Sequence, residues 1–219
     1  LIRGIDLAGD EVHYPPDRFV EPFRRARAAG LSVTVHAGEA LGAGSVEAAI
    51  QYLHPQRIGH GIRTVESSAV ARMVYRQNIA LEVCPTSNVQ TGAVPGLSLH
   101  PLIDLFNLRL RVTLNTDDPS VSGTTLSDEY VVAVSDLGLP PNQIYAMLGY
   151  SVETAFIPEA ERPWLRETIR RELAPWPDAV EIFNRVVAPM RSERKATDRD
   201  RPGAGTSLDF PVSEALTEL

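Results

Sequence analysis

Short apolar runs recur along the chain, each followed by polar residues or glycine: Leu1 to Leu7, Ser32 to Val35, Arg57 to Gly59, Ile79 to Val83 and Arg111 to Leu114. Runs of this length bounded by turn-forming residues read as buried strands. Between them the apolar spacing becomes helical. Val46, Ala49, Ile50 and Leu53 follow the i, i+3, i+4, i+7 pattern, and Val70, Met73 and Val74 repeat it in the next interval. Phe19, Val20 and Phe23 follow it more loosely ahead of Gly30, which stands where a helix C-terminal glycine would. Beyond the last strand, Leu126, Tyr130, Val134 and Leu137 predict a helix, as do Ile144, Met147 and Leu148. Two more amphipathic segments run from about Glu161 to Leu173 and from Asp178 to Val187.

Strand and helix therefore alternate, which predicts an α/β fold with a parallel sheet and right-handed crossovers. Every predicted strand ends in chemically capable residues: Asp6 to Glu11, His36 to Glu39, His60-Gly61, Cys84 to Asn88, and Asp117-Asp118. An open sheet gathers ligands at one switch point, whereas a (β/α)8 barrel brings all its C-terminal strand ends to one mouth. The barrel is the better reading. Five strands do not close one, and a barrel takes roughly 250 residues, so about three strands are expected ahead of Leu1. On this reading residues 1–190 form the C-terminal part of a single barrel domain, with additional C-terminal helices. Residues 191–219, polar and poor in apolar positions, read as a flexible tail.

Composition narrows the partners. With 219 residues, 43% of them hydrophobic, the chain can bury a substantial core. A formal net charge of -7 argues against nucleic acid or an anionic membrane as the main partner, because both need a basic face. A small neutral or cationic ligand fits better. The single cysteine, Cys84, excludes an intrachain disulfide framework and points to a reducing cytoplasm. No apolar run is long enough to span a bilayer.

Among the candidate residues, His36 ends one apolar run and Glu39 follows it by three. A histidine at a barrel strand end can ligate zinc, while a carboxylate in the following loop stays free to move protons. The plainer alternatives are a hydrogen-bonded core histidine and a helix N-terminal charge. His60 lies between Gly59 and Gly61, which remove bulk on both sides; a tight strand exit would explain it equally. Asp117 and Asp118 would face opposite ways on a regular strand, so both reach one site only where the strand has ended, as Pro119 suggests. A solvated turn is the competing reading. His54 and His100 precede prolines and His13 lies near Pro15 and Pro16; all three read as structural or exposed, and Cys84 as a small buried hydrophobe.

Gly4 to Glu11, Val35 to Glu39, Arg57 to Gly61, Glu82 to Asn88 and Leu114 to Pro119 together resemble, in order, the motifs of the adenosine deaminase family of the amidohydrolase superfamily. The resemblance implies a zinc-dependent purine nucleoside deaminase, with His36 and Asp117 as zinc ligands. The metal would lower the pKa of water towards ~7, and the resulting hydroxide would attack C6 of the purine. Glu39 would protonate N1, His60 and Asp118 would orient the hydroxide, and Asp118 and the Gly9 backbone N–H would bind the purine. The family's His-x-His zinc ligands do not occur in this chain and are expected upstream of Leu1 with the missing part of the barrel. The isolated segment is accordingly expected to be inactive.

Adenosine or deoxyadenosine is the leading substrate. A modified adenosine such as aminodeoxyfutalosine is the alternative, followed by a non-catalytic relative of the barrel. A two-metal amidohydrolase with a bridging lysine is disfavoured, because no lysine precedes Lys195.

Overall fold

In the computed structural model, which describes residues 2–188, each predicted strand is present within a few residues of its expected place. The strands are β1 (Gly4–Leu7), β2 (Ser32–Ala37), β3 (Arg57–His60), β4 (Ala80–Val83) and β5 (Arg111–Leu114). They form one parallel sheet in the order β1-β2-β3-β4-β5, the sequential arrangement of a barrel wall. The outer edges of β1 and β5 carry no strand partner among the described residues.

The register explains why one side of this sheet is apolar and the other reactive. It sets Val35, Ile58, Leu81 and Val112 side by side, all fully buried. One residue further along, the aligned row is His36, Gly59, Glu82 and Thr113. Successive strand residues point to opposite faces, so the apolar row joins the core while His36, Gly59 and Glu82 of the second row line a cleft.

The helices connecting the strands are α1 (Val20–Ala28), α2 (Ala43–Leu53), α3 (Ser68–Arg76), α4 (Pro85–Gln90) and α5 (Leu102–Asn107). In α2 the predicted stripe of Val46, Ala49, Ile50 and Leu53 is wholly buried. The helix ends at His54, whose φ of 48° places it in the left-handed cap position. Helices α4 and α5 fill the interval between β4 and β5, for which the pattern gave none. Their six-residue lengths are too short to show a period, and α4 opens with Pro85 at its first position.

Beyond β5 come α6 (Pro119–Ser122), α7 (Leu126–Ser135), α8 (Pro141–Thr154), α9 (Arg162–Leu173) and α10 (Pro177–Val187). The last three enclose a second apolar cluster of Val152, Leu173, Ala179, Phe183 and Val187. Helix α7 is where it was expected, but its buried face is not the apolar stripe. Leu126 is 47% and Val134 41% exposed, whereas Glu129 and Ala133 are fully buried. Glu129 is tolerated inside because its carboxylate accepts hydrogen bonds from the Thr86 N–H (3.1 Å) and the Thr124 hydroxyl (2.9 Å). The expected tail, 191–219, lies outside the described residues.

Candidate active site

His36 reaches the cleft from β2, and its Nδ1 meets the Asp6 carboxylate of β1 at 3.1 to 3.2 Å. Its ring has room only because its neighbour on β3 is Gly59: a Cβ there would lie 2.8 Å from His36 Cγ and Nδ1. At the end of β3 the backbone turns left-handed at two successive residues, His60 (φ 59°) and Gly61 (φ 64°). Such a conformation is costly for a side chain with a Cβ and collects at functional sites. Here it aims a 2%-exposed imidazole into the cleft mouth. Asp117, after β5, is also left-handed (φ 58°), and its Oδ2 accepts a 2.7 Å hydrogen bond from the Ser87 hydroxyl.

These three strand ends converge. His36, His60 and Asp117 each offer a ligand atom, and those atoms lie within 4.8 Å of one another. The His36 and His60 rings stand edge to face with centroids 5.1 Å apart. His60 Nε2 is 3.3 Å from Glu39 Oε2 and 4.0 Å from Asp117 Oδ2. Glu39 is anchored from across the site, because its Oε1 accepts from Thr91 Oγ1 at 2.9 Å and from Asn88 Nδ2 at 3.4 Å. Its loop is pinned by Glu11, whose carboxylate accepts the backbone N–H groups of Gly38 (2.6 Å), Ala40 (2.7 Å) and Leu41 (3.1 Å).

Burial disfavours a charged His36, yet the hydrogen bond and negative charge of Asp6, with Asp117 and Glu82 behind it, carry its pKa above the usual histidine value. In His60 the balance is reversed. Burial outweighs Glu39 and Asp117, and the neighbouring His36 adds to it, so the pKa falls. Burial also raises Glu82, against the opposing charge of Arg57 at 3.2 Å. The cleft measures about 350 Å³ and is walled by His36, His60, Glu82, Cys84, Asp117 and Leu126. A larger cleft of about 450 Å³ lies at the opposite strand ends, between Arg3, Gln56, Arg111 and Phe156. The histidine cluster is at the C-terminal ends, where barrel chemistry resides, and size does not outweigh that.

Of the residues singled out from the sequence, His36, Glu39, His60 and Asp117 are brought together. Asp118 is adjacent, and one of its carboxylate oxygens, Oδ1, accepts from Ser120 N–H (3.1 Å) and Val121 N–H (3.2 Å) and caps α6. Gly9 follows β1 on an exposed loop. His13 is exposed and bonded to Asp10 at 2.7 Å. Cys84 is buried, which pushes its thiol pKa far up and leaves it an inert core residue. His100, expected among the structural or exposed histidines, is 9% exposed and part of the network behind His60. Sequence reasoning missed Asp6, Glu11, Ser87, Asn88 and Thr91 as site residues. All five lie in or beside the strand-end motifs, so their position was the available signal.

A parallel barrel wall with imidazoles and carboxylates gathered at its C-terminal ends is the arrangement of an amidohydrolase-type barrel, with a site able to hold a metal ion. The family model for adenosine deaminase matches residues 1–172, and the chain belongs to that family. It is 42% identical over 169 residues to an adenosine deaminase of Serratia proteamaculans, covering 77% of this chain and 51% of that protein. It therefore spans about half the length of the curated relatives it matches. Among solved structures, an adenine deaminase from Arthrobacter aurescens superposes with a TM-score of 0.75 at 33% identity, over 79% of this chain and 53% of that one. An amidohydrolase from Burkholderia ambifaria with bound zinc gives 0.71 at 25% identity, over 85% and 51%.

Proposed function

We propose that the full-length protein catalyses hydrolytic deamination of adenosine and deoxyadenosine, giving inosine or deoxyinosine and ammonia, with the site on this chain as part of its active centre. The observation that carries this reading is the cluster of His36, His60 and Asp117, with the Glu39 carboxylate 3.3 Å from His60 Nε2. The donor set fits zinc, which takes imidazole nitrogen and carboxylate oxygen. Asp6 on His36 Nδ1 also leaves Nε2 with a lone pair, as carboxylate–histidine pairs do for metal-binding imidazoles. His36 and Asp117 would hold the ion, which supplies the Lewis acidity that brings deprotonation of water into the neutral range.

The remaining work is positioning and proton transfer. Glu39, held by Thr91 and Asn88, delivers a proton to purine N1, so the ring accepts an electron pair as the water oxygen adds at C6. His60 faces Glu39 and Asp117 and orients the attacking water. Asp118 and the Gly9 N–H bind the purine edge. The C6–N bond then breaks as the proton of the C6 hydroxyl passes to the departing amine, so ammonia leaves and a C6 carbonyl remains, while the first proton lost by the water restores Glu39. A single buried cysteine suits a reducing cytoplasm.

Identity of 42% to an adenosine deaminase, against 33% to an adenine deaminase, supports the nucleoside as substrate. The test is to incubate the zinc-supplemented full-length protein with adenosine, deoxyadenosine and free adenine and to follow loss of the adenine absorbance. Faster turnover of the two nucleosides is expected, and preference for free adenine would overturn the assignment.

A further inference from the structure

His60 is not an isolated imidazole. Behind it runs a buried chain of hydrogen bonds that begins at a backbone amide. The Leu102 N–H donates to His100 Nδ1 at 3.1 Å, His100 Nε2 meets Asn88 Oδ1 at 3.2 Å, and Asn88 Nδ2 meets His60 Nδ1 at 3.0 Å. His100 is 9%, Asn88 0% and His60 2% exposed, so water is poorly placed to substitute for any member.

The direction of this chain is set at its far end. A backbone N–H can only donate, so His100 Nδ1 presents a lone pair, and a neutral His100 carries its proton on Nε2. Burial keeps it neutral, depressing its pKa to about 4. The Nε2–H then needs an acceptor, which fixes the Asn88 amide with its oxygen towards His100 and its NH2 group towards the site. One amide hydrogen points at His60 Nδ1 and the other at Glu39 Oε1, 3.4 Å away. With Nδ1 engaged as an acceptor, neutral His60 holds its proton on Nε2, facing Glu39 and Asp117.

We propose that His100 and Asn88 are positioning residues that lock His60 as its Nε2–H tautomer, so that it presents a hydrogen-bond donor to the reacting centre. The catalytic consequence rests on the deaminase reading; the tautomer itself does not. Reversing the lock requires the His100 ring, the Asn88 amide and the His60 proton to change together, with the Leu102 N–H opposing the change. His60 therefore keeps one hydrogen-bonding role while substrate enters and leaves. The relay also ties the loop preceding α5 to the end of β3, joining two segments about forty residues apart through a single amide.

The experiment is long-range 1H–15N correlation NMR at neutral pH on the metal-free protein labelled with 15N-histidine, in the wild type and in His100→Phe, His100→Gln and Asn88→Asp. In the wild type both His60 and His100 are expected as Nε2–H tautomers. Asn88→Asp places an acceptor against both rings and should move the His60 proton to Nδ1. His100→Phe should give a mixture of His60 tautomers, while His100→Gln, which retains a donor at similar reach, should restore Nε2–H.

In deaminase assays of the full-length protein His100→Phe should lower kcat by about 10- to 100-fold, the usual effect of losing a partner that orients an active-site imidazole, with KM little changed and substantial rescue in His100→Gln. A wild-type His60 found as Nδ1–H overturns the proposal, and so does a His100→Phe protein whose His60 tautomer and kcat are unchanged. Should the full-length protein turn over no purine while the tautomers shift as stated, the deaminase assignment falls and the relay stands.

Discussion

The Ser87 hydroxyl donates a 2.7 Å hydrogen bond to Asp117 Oδ2, tying the segment after β4 to the segment after β5 at the point where the candidate metal ligands meet. Ser87 is 2% exposed, so no water readily replaces it. Ser87→Ala is expected to cost about 1.5–3 kcal/mol of stability, as for other hydrogen bonds to a charged group. Zinc affinity should fall about 10- to 100-fold through loss of the partner that orients Asp117. Chelator-competition titration reads the affinity and urea unfolding the stability; unchanged zinc affinity would show that Asp117 needs no such support.

Gly59→Ala tests the space left for His36. The new methyl group would sit 2.8 Å from the imidazole, and overpacking of this kind costs about 1–3 kcal/mol. The ring must shift to relieve it, so zinc binding should weaken by more than the stability loss alone explains. Calorimetric zinc titration beside a thermal melt separates the two effects.

Glu39→Gln keeps the shape of the side chain but removes its ability to carry a proton. The Thr91 and Asn88 contacts can largely persist. Turnover of adenosine should fall roughly 100- to 10,000-fold, the range for loss of a general acid or base, while inosine binding measured by calorimetry stays within a few-fold. Comparable turnover in the variant would remove Glu39 from the proton path.

Acid should destabilise the fold through His100. Its folded pKa is depressed to about 4 from an ordinary value of 6.5, so the unfolded chain takes up a proton that the folded one refuses. Stability attributable to this group is full above about pH 6.5 and is lost as the pH falls towards 4. At about 1.4 kcal/mol per unit, the loss is on the order of 3 kcal/mol. Urea unfolding of wild type and His100→Gln between about pH 7 and 4 should give a flatter pH dependence for the variant. Parallel curves would place the acid sensitivity elsewhere.

Much of this architecture is legible in the sequence. All five strands and the main helices flanking them announce themselves through local signals, namely apolar runs for strands and three-to-four spacing for helices such as α2. The motif residues His36, Glu39, His60 and Asp117 are also readable, because each stands at or just beyond the end of a strand-like run. Helices α4 and α5 are not, being too short to display a period. Nor is the burial of α7, where Glu129 lies inside and Leu126 outside. Hydrophobicity alone assigns that face wrongly, because two specific hydrogen bonds to Glu129 are what make its burial tolerable.

The sequence by itself determined the alternation of elements, the parallel sheet and the placement of reactive side chains at strand ends, since each of these depends on residues close together in the chain. Only the tertiary structure decided which of the five histidines act together. His36 and His60 meet through strand register, and His100 joins them through Asn88, while His13 and His54 stay apart. Those meetings depend on how the β-strands align and on which way a buried amide must point. A linear pattern cannot carry that information, because hydrogen-bond direction is fixed by partners distant in sequence.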